Sequence, residues 1–384
     1  MKIGNDIYYI GVNDHNISLF EGQYRVPYGM SYNSYVIKDE KIAVIDTVEA
    51  GFTDTWLNNL KNAIGNKQVD YLIIQHMEPD HSGSINGFLK VYPNAKIVSS
   101  QRSFVMMKQF FGNDYTDNQM VIENGSLLSL GKHDLTFVSA PMVHWPEVTV
   151  TFDKTEGVLF SADAFGKFGA NDVSDKWERE ACKYYFGIVG KFGPQVQVVL
   201  KKINDFDIKK ICPAHGPVLE ENLSYYIGLY DTWSRYLPQK SGVVIAYTSV
   251  YGNTKKAVLE LADLLKKGGK DVKLYNLARC DMTDAIADAF CYDKLVLATT
   301  TYNSEIFPFM REFISHLTER NYQGRVIGLI ENGSWAPMAN KVMKNMLEKS
   351  KNIQFTPTCV KILSSLNEES KGQLEMLARE LIEN

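Results

Sequence analysis

Cysteine is scarce in this sequence. The 384 residues include five, Cys182, Cys212, Cys280, Cys291 and Cys359. None of them forms a C-x-x-C pair, which excludes a fused rubredoxin or an iron–sulfur module of the usual spacing. No apolar run reaches the length of a membrane span, and residues 1–15 lack a signal-peptide core. A cytoplasmic protein without membrane contact is therefore expected. Positive charge is not in excess either: 41 Lys and Arg stand against 45 Asp and Glu, for a formal charge of −4. No aromatic residues are interleaved with basic runs, which argues against nucleic-acid binding. Internal repeats and low-complexity tracts are also missing.

What the chain does have is length and apolar content. With 384 residues and 45% hydrophobic composition it exceeds the size at which a single core usually splits, so two domains are expected. The boundary falls at Leu237-Pro238-Gln239-Lys240-Ser241, a short polar stretch with a proline, giving domains 1–237 and 241–384. In the first, Ser34–Ile37 and Ile42–Ile45 read as a hairpin around Lys38-Asp39-Glu40-Lys41, followed by an amphipathic stretch from Phe52 to Ile64. Hairpins first and strand–helix units later predict an αββα sandwich of four layers.

The densest chemistry lies in Gln75-His76-Met77-Glu78-Pro79-Asp80-His81-Ser82-Gly83, directly after the apolar run Tyr71-Leu72-Ile73-Ile74. Four potential metal ligands, His76, Glu78, Asp80 and His81, occupy six residues at a strand end, and Gly83 permits a tight chain reversal. Imidazole with carboxylate suits a first-row metal that does redox chemistry or activates water, and the mix can divide between two ions. Further ligands are then needed. His144 follows Leu135-Thr136-Phe137-Val138, Asp163 follows Gly157-Val158-Leu159-Phe160, and His215 follows Lys210-Ile211-Cys212. Each is a polar residue delivered into a loop by a short strand, which is how α/β folds assemble a site from distant segments. Taken singly, each could equally be a packed or solvated loop residue. His15, His133 and His316 are set aside on that ground.

The second half begins with a strand, Gly242 to Tyr247, then Thr248-Ser249-Val250-Tyr251-Gly252-Asn253-Thr254, then a helical Lys255 to Ala262. Backbone N–H groups at a helix start, with Ser and Thr hydroxyls, bind a phosphate without any lysine. A T-x-x-x-G-x-T loop alone is often no more than a helix cap. Two further loops strengthen the reading. Thr299-Thr300-Thr301-Tyr302-Asn303-Ser304 follows the strand Lys294 to Ala298, and Asn332-Gly333-Ser334-Trp335 follows Val326 to Ile330. In a doubly wound sheet such loops converge at the switch point, where Trp335, ahead of Tyr302, is placed to cover a flat ring.

Together these segments are similar to known families. The H-x-E-x-D-H block with His144, Asp163 and His215 resembles the metallo-β-lactamase fold in its redox branch, the flavodiiron proteins, and the three later loops resemble flavodoxin. The hydrolase branch usually has His at the position of Glu78, and a hard carboxylate there favours iron over zinc. The resemblance covers nearly the whole chain and implies an N-terminal αββα metallo-β-lactamase-like sandwich followed by a flavodoxin-like parallel sheet. It assigns His76, Glu78 and His144 to one iron, Asp80, His81 and His215 to the other, and Asp163 to the bridge. It also implies FMN held by residues 248–254, by Thr300, Thr301, Tyr302 and Asn303, and by Gly333, Ser334 and Trp335. The third loop is poorer in glycine than the family's.

The implied activity is reduction of dioxygen to water, of nitric oxide to nitrous oxide, or of both. The implied donor is an external rubredoxin-like protein or its reductase, since the chain has no electron-transfer module of its own besides the flavin. The implied assembly is a head-to-tail homodimer or a dimer of dimers. Two alternatives stay open on the residues alone: a zinc hydrolase with an appended flavodoxin domain, and a flavodoxin-like carrier with a structural metal domain.

Overall fold

A computed structural model describes residues 1–383. The chain divides into two compact units, the first being Met1–Asp231 and the second beginning at Thr232.

The first unit is built on two sheets. One runs, in spatial order, Ile7–Tyr9, Tyr35–Lys38, Ile42–Ile45, Tyr71–Ile73, Lys96–Ser100 and Gln119–Ile122. Its first three strands pair antiparallel and the rest parallel. The hairpin predicted from sequence forms with Tyr35 opposite Ile45. The second sheet runs Leu127–Ser129, Asp134–Ser139, Thr149–Asp153, Val158–Phe160 and Lys210–Cys212. Ile37, Ala43, Ile45, Ile73 and Val98 of the first sheet meet Leu128, Leu135, Phe137, Val158, Phe160 and Cys212 of the second in one core. Strands such as Ile42–Ile45 are buried on both faces, which is why they read as unbroken apolar runs.

Helices close the outer faces. Thr53–Ile64 buries Trp56, Leu60 and Ile64, spaced four apart on one helix face. Each of those side chains contributes about 1.5–3 kcal/mol by leaving water. Gln101–Phe111 packs on the same sheet through Phe104 and Met107, while Gly193–Ile203 covers the second sheet. The result is the four-layered αββα sandwich expected.

The second unit is a parallel sheet in the order Val272–Asn276, Lys240–Tyr247, Tyr292–Tyr302, Val326–Asn332, Gln354–Ile362. Numbered within the unit this is 2-1-3-4-5, the flavodoxin-like order. Asn253–Lys267 and Glu368–Glu383 bury Leu261, Leu265, Leu374 and Leu377 against it. Met282–Cys291, Pro308–Glu319 and Ala339–Leu347 pack against one another and the sheet. Among the described residues no helix is long and apolar enough to cross a membrane.

Candidate metal centre and phosphate cleft

The loop after Tyr71–Ile73 is fixed before it delivers any ligand. The Gln75 amide and side chain both donate to buried Asp46, at 2.7 and 3.0 Å. His76 follows, and Pro79 then starts the one-turn helix Pro79–Ser82, which carries Asp80 and His81. Gly83 is needed for a different reason from the one read in the sequence. Its backbone is right-handed, not reversed, and a Cβ there would stand 2.6 Å from the Pro79 carbonyl oxygen and 2.9 Å from the Ala50 nitrogen. Close approach, not chain reversal, demands the glycine.

The seven residues proposed as ligands converge. His76, Glu78, His144 and Asp163 form one group, and Asp80, His81 and His215 another, each with its ligand atoms within 4.8 Å of one another. Asp163 Oδ2 lies 3.3 Å from His76 Nε2 and 3.0 Å from His144 Nε2. Its other oxygen, Oδ1, lies 3.2 Å from His81 Nε2 and 3.7 Å from His215 Nε2. Glu78 Oε2 is within 3.2 Å of His76 Nε2 and 3.0 Å of His144 Nε2. Asp80 Oδ2 is 3.3 Å from both His81 and His215.

These groups fit a cation better than they fit one another. Both oxygens of Asp80 and both of Asp163 are buried without a hydrogen-bond donor, an expensive arrangement for carboxylates unless positive charge faces them. Without metal, protons supply that charge. Burial disfavours the imidazolium of His76, but Asp163, Glu147 and Glu78 outweigh it and push its pKa up to about 10. His144 is raised to about 10, against its burial, by Asp163 and Glu78. His81 is raised to about 9, again against burial, by Asp80 and Asp163. Asp163 itself is driven well below the carboxylate range, because His76, His144 and His81 overcome the cost of burying it.

Supporting contacts orient the imidazoles. His76 Nδ1 is 3.0 Å from Glu147, whose carboxylate also accepts the Met77 amide at 2.9 Å. His215 Nδ1 donates to the Ser31 carbonyl at 2.6 Å. Such partners fix the ring so that Nε2 faces the centre. Neither was legible in the sequence: Glu147 is 71 residues from His76, and a backbone carbonyl has no signature. The histidines set aside lie elsewhere. His133 is buried on Asp153 at 2.9 Å, His15 pairs with Asp172 at the surface, and His316 lies on Pro308–Glu319.

In the second unit the three loops meet at the carboxyl ends of the strands around a cleft of about 470 Å³. Ser249, Val250, Tyr251, Asn253, Thr254, Thr300, Thr301, Tyr302, Asn303, Gly333, Ser334 and Trp335 all line it. Thr248 and Gly252 do not. Thr248 is fully buried and bonded to Thr299 at 2.6 Å, while Gly252, at φ 91°, turns the chain into the helix Asn253–Lys267. Ser249 Oγ accepts the Gly252 and Lys255 amides, both at 3.2 Å. The buried Thr300 hydroxyl has no partner, a free donor suited to a phosphate. The middle segment differs from its expected loop form. Strand pairing continues to Tyr302 opposite Glu305, and Asn303 and Ser304, both left-handed, make a two-residue turn. Ser304, Asn332, Ala336, Met338 and Ser364 also line the cleft. Ser364 comes from beyond Gln354–Ile362, the fifth strand of the sheet, which carried no motif.

Comparison with known proteins follows the same division. Residues 30–216 match the ODP family beta lactamase model and 244–376 a flavodoxin domain model. The nitric oxide reductase of Moorella thermoacetica is 31% identical, over 91% of this chain and 90% of that protein. Rubredoxin-oxygen oxidoreductase of Megalodesulfovibrio gigas is 27% identical, over 98% and 96%. The solved structure of rubredoxin oxygen:oxidoreductase from Desulfovibrio gigas superposes with a TM-score of 0.92 at 27% identity, covering 100% of this chain and 98% of that one. The Giardia intestinalis flavodiiron protein gives 0.88 at 25% identity, covering 100% and 95%. The chain belongs to the flavodiiron protein family. As a flavodiiron protein it is an oxidoreductase, and the hydrolase alternative is not favoured.

Proposed function

We propose that this flavodiiron protein reduces dioxygen to water, nitric oxide to nitrous oxide, or both, at a diiron centre supplied with electrons by FMN. One observation carries the metal assignment: the two oxygens of buried Asp163 face different groups of ligands, Oδ2 toward His76 and His144, Oδ1 toward His81 and His215. In this reading His76, Glu78 and His144 would hold one iron and Asp80, His81 and His215 the other, with Asp163 shared between the two groups. A pair of irons would supply redox change and a binding place for a diatomic between two positive charges.

The chain's own residues do the rest. Glu147 and the Ser31 carbonyl keep the Nε2 atoms of His76 and His215 aimed inward. Phe20 and Tyr32 pack edge-on to the His215 ring, at 5.4 and 6.1 Å, and give that side of it apolar neighbours. In the second unit the helix start at Asn253, with Ser249 and Thr254, would receive the phosphate of FMN, and the Thr300 hydroxyl, which has no hydrogen-bond partner, would be available to it. Trp335 and Tyr302, both exposed at the cleft, would cover the flavin ring. The names of the relatives, rubredoxin-oxygen oxidoreductase and flavorubredoxin, support a rubredoxin-type donor.

Metal and flavin analysis of protein made with adequate iron, followed by anaerobic reduction and turnover with each gas, tests the proposal. About two irons and one FMN per chain, with consumption of at least one gas, is the expected result. Zinc alone, with no ferric absorption and no gas reduction after iron reconstitution, would sink it.

A further inference from the structure

Three alternate residues near the start of the first unit, Ser31, Asn33 and Tyr35, all reach the loop from Pro213 to Gly216 that carries His215. The Ser31 carbonyl accepts His215 Nδ1 at 2.6 Å, and its hydroxyl accepts the Gly216 amide at 2.7 Å. The Tyr35 hydroxyl donates to the Pro213 carbonyl at 2.7 Å. Asn33 makes the most bonds to this loop. Its Nδ2 donates to the Pro213 carbonyl at 2.8 Å and to the Gly216 carbonyl at 2.7 Å, and its backbone amide donates to the Ala214 carbonyl at 2.9 Å. Residues on both sides of His215 are thus held by one neighbour. Asn33 is only 1% exposed, so little water competes for these bonds.

The other end of the same amide reaches a second ligand segment. Asn33 Oδ1 accepts Asn171 Nδ2 at 2.9 Å, and Asn171 belongs to the stretch that follows Asp163. That stretch and the His215 loop approach closely: the Ala214 amide donates to the Ala162 carbonyl at 2.7 Å. A Cβ at Gly216, where φ is 86°, would stand 2.7 Å from Lys167 Cγ. We propose that Asn33 is a positioning residue, whose amide sets the His215 loop against the Asp163 segment and so closes the Asp80, His81 and His215 group around a cation. The inference rests on the two-iron reading above and adds to it the residue that shapes one half of the centre.

The side-chain chemistry explains why an amide stands here. Two carbonyls need a donor and Asn171 needs an acceptor, and only an amide offers two N–H bonds beside a carbonyl oxygen. Asp has the same shape but no donor when ionised, and Ala leaves both carbonyls unpaired in a buried place. The other group of ligands is supported separately. His76 is oriented by Glu147 at 3.0 Å, and the bonds of Asn33 to other loops go to residues 171 and 213–216, not to the segments that carry His76, Glu78 or His144. Loss of the Asn33 amide should therefore affect the two groups unequally.

The test titrates ferrous iron anaerobically into full-length, FMN-loaded protein stripped of metal, comparing the native chain with Asn33→Asp. Native protein is expected to take up two irons per chain. In N33D the second iron should bind at least about tenfold more weakly, within the 10–100-fold typical when a group that orients a ligand is lost, while the first keeps its native affinity. After oxidation, the coupled ferric pair, silent in electron paramagnetic resonance, should give way in N33D to the signal of a lone ferric ion. Hydrogen exchange needs no variant. In metal-free native protein the Ala214 and Gly216 amides should already be protected, because Asn33 sets the loop before metal arrives. Native uptake of both irons by N33D overturns the assignment. Equal weakening of both irons with a lower melting temperature also overturns it, since that marks a merely structural role, and so do unprotected amides in the metal-free native chain. Fewer than two irons in native protein would instead overturn the two-iron reading, and the exchange measurement would still decide whether Asn33 holds the loop.

Discussion

At the residue scale the carboxylate of Asp163 is the most exposed to test. Asp163→Asn keeps the shape but removes the charge that faces four imidazoles. Loss of a supporting group already costs about 10–100-fold in metal affinity or activity, so the Asn variant should fall by more than about 100-fold in gas turnover with FMN still bound. Turnover at the native rate with iron intact would show that the assigned site is wrong.

Protonation gives a second expectation at this scale. In metal-free protein His76, His144 and His81 are raised to about 10, 10 and 9 from an unfolded value near 6.5. Their folded pKa values lie above the unfolded one, so the stability they contribute is fully present below about pH 6.5 and is lost as pH rises through 9 to 10. Metal-free protein should therefore melt at a lower temperature at pH 10 than at pH 7. Iron binding should release protons, because ligand imidazoles must be neutral. A flat melting profile across that window, or metal uptake without proton release in a weakly buffered titration, would contradict the geometry. These residues were largely legible in the sequence because His76, Glu78, Asp80 and His81 fall within six residues and the other three each lie in a loop just after a strand. Glu147 and Ser31 were not, since their roles depend on partners far along the chain.

At the scale of elements, the cleft loops do structural work that their sequence disguised. Thr301 was read as a flavin contact, and it does line the cleft, but its hydroxyl also accepts the Met338 and Ala339 amides at 3.0 and 3.2 Å. It thus caps the helix Ala339–Leu347 from a different segment, where Met338 has no side-chain cap of its own. Removing a capping hydroxyl costs about 0.5–2 kcal/mol. Thr301→Ala should lower stability by that amount even without FMN, and Thr301→Ser should restore most of it. If the flavin-free Ala variant unfolds at the native denaturant midpoint, the hydroxyl serves the ligand alone. A local pattern shows which residues sit in a loop, but not which distant helix one of them completes. The same limit hid Ser364, which reaches the cleft from beyond Gln354–Ile362. Strand and helix identity was easier to read, because fully buried runs and the four-residue spacing of Trp56, Leu60 and Ile64 follow directly from how each element buries one face.

At the scale of the molecule, the proposed flavin and metal sites belong to different units, and the connection is short. The first unit ends at Asp231 and the second begins at Thr232, both within the helix Leu223–Ser234. We propose that, with so short a connection between the units, a cofactor pair that must exchange electrons quickly is served by a second copy of the chain. A head-to-tail homodimer, alone or as half of a dimer of dimers, would set each flavin against its partner's irons through a two-fold interface of an ordinary kind. Complementation tests this arrangement. One variant loses FMN through Gly252→Trp, which forces a bulky side chain onto a left-handed turn at the phosphate loop; the other loses iron through His144→Ala. Each homodimer is inactive. Mixed under conditions that permit subunit exchange, a heterodimer contains one intact flavin facing one intact metal centre, so gas reduction should return toward a quarter of the native rate for random pairing. Electron transfer confined within each chain would give no recovery, because every chain in the mixture lacks one of the two cofactors. Demonstrated exchange without recovery, or full activity from a monomer at working concentration, would therefore exclude the head-to-tail dimer as the working form.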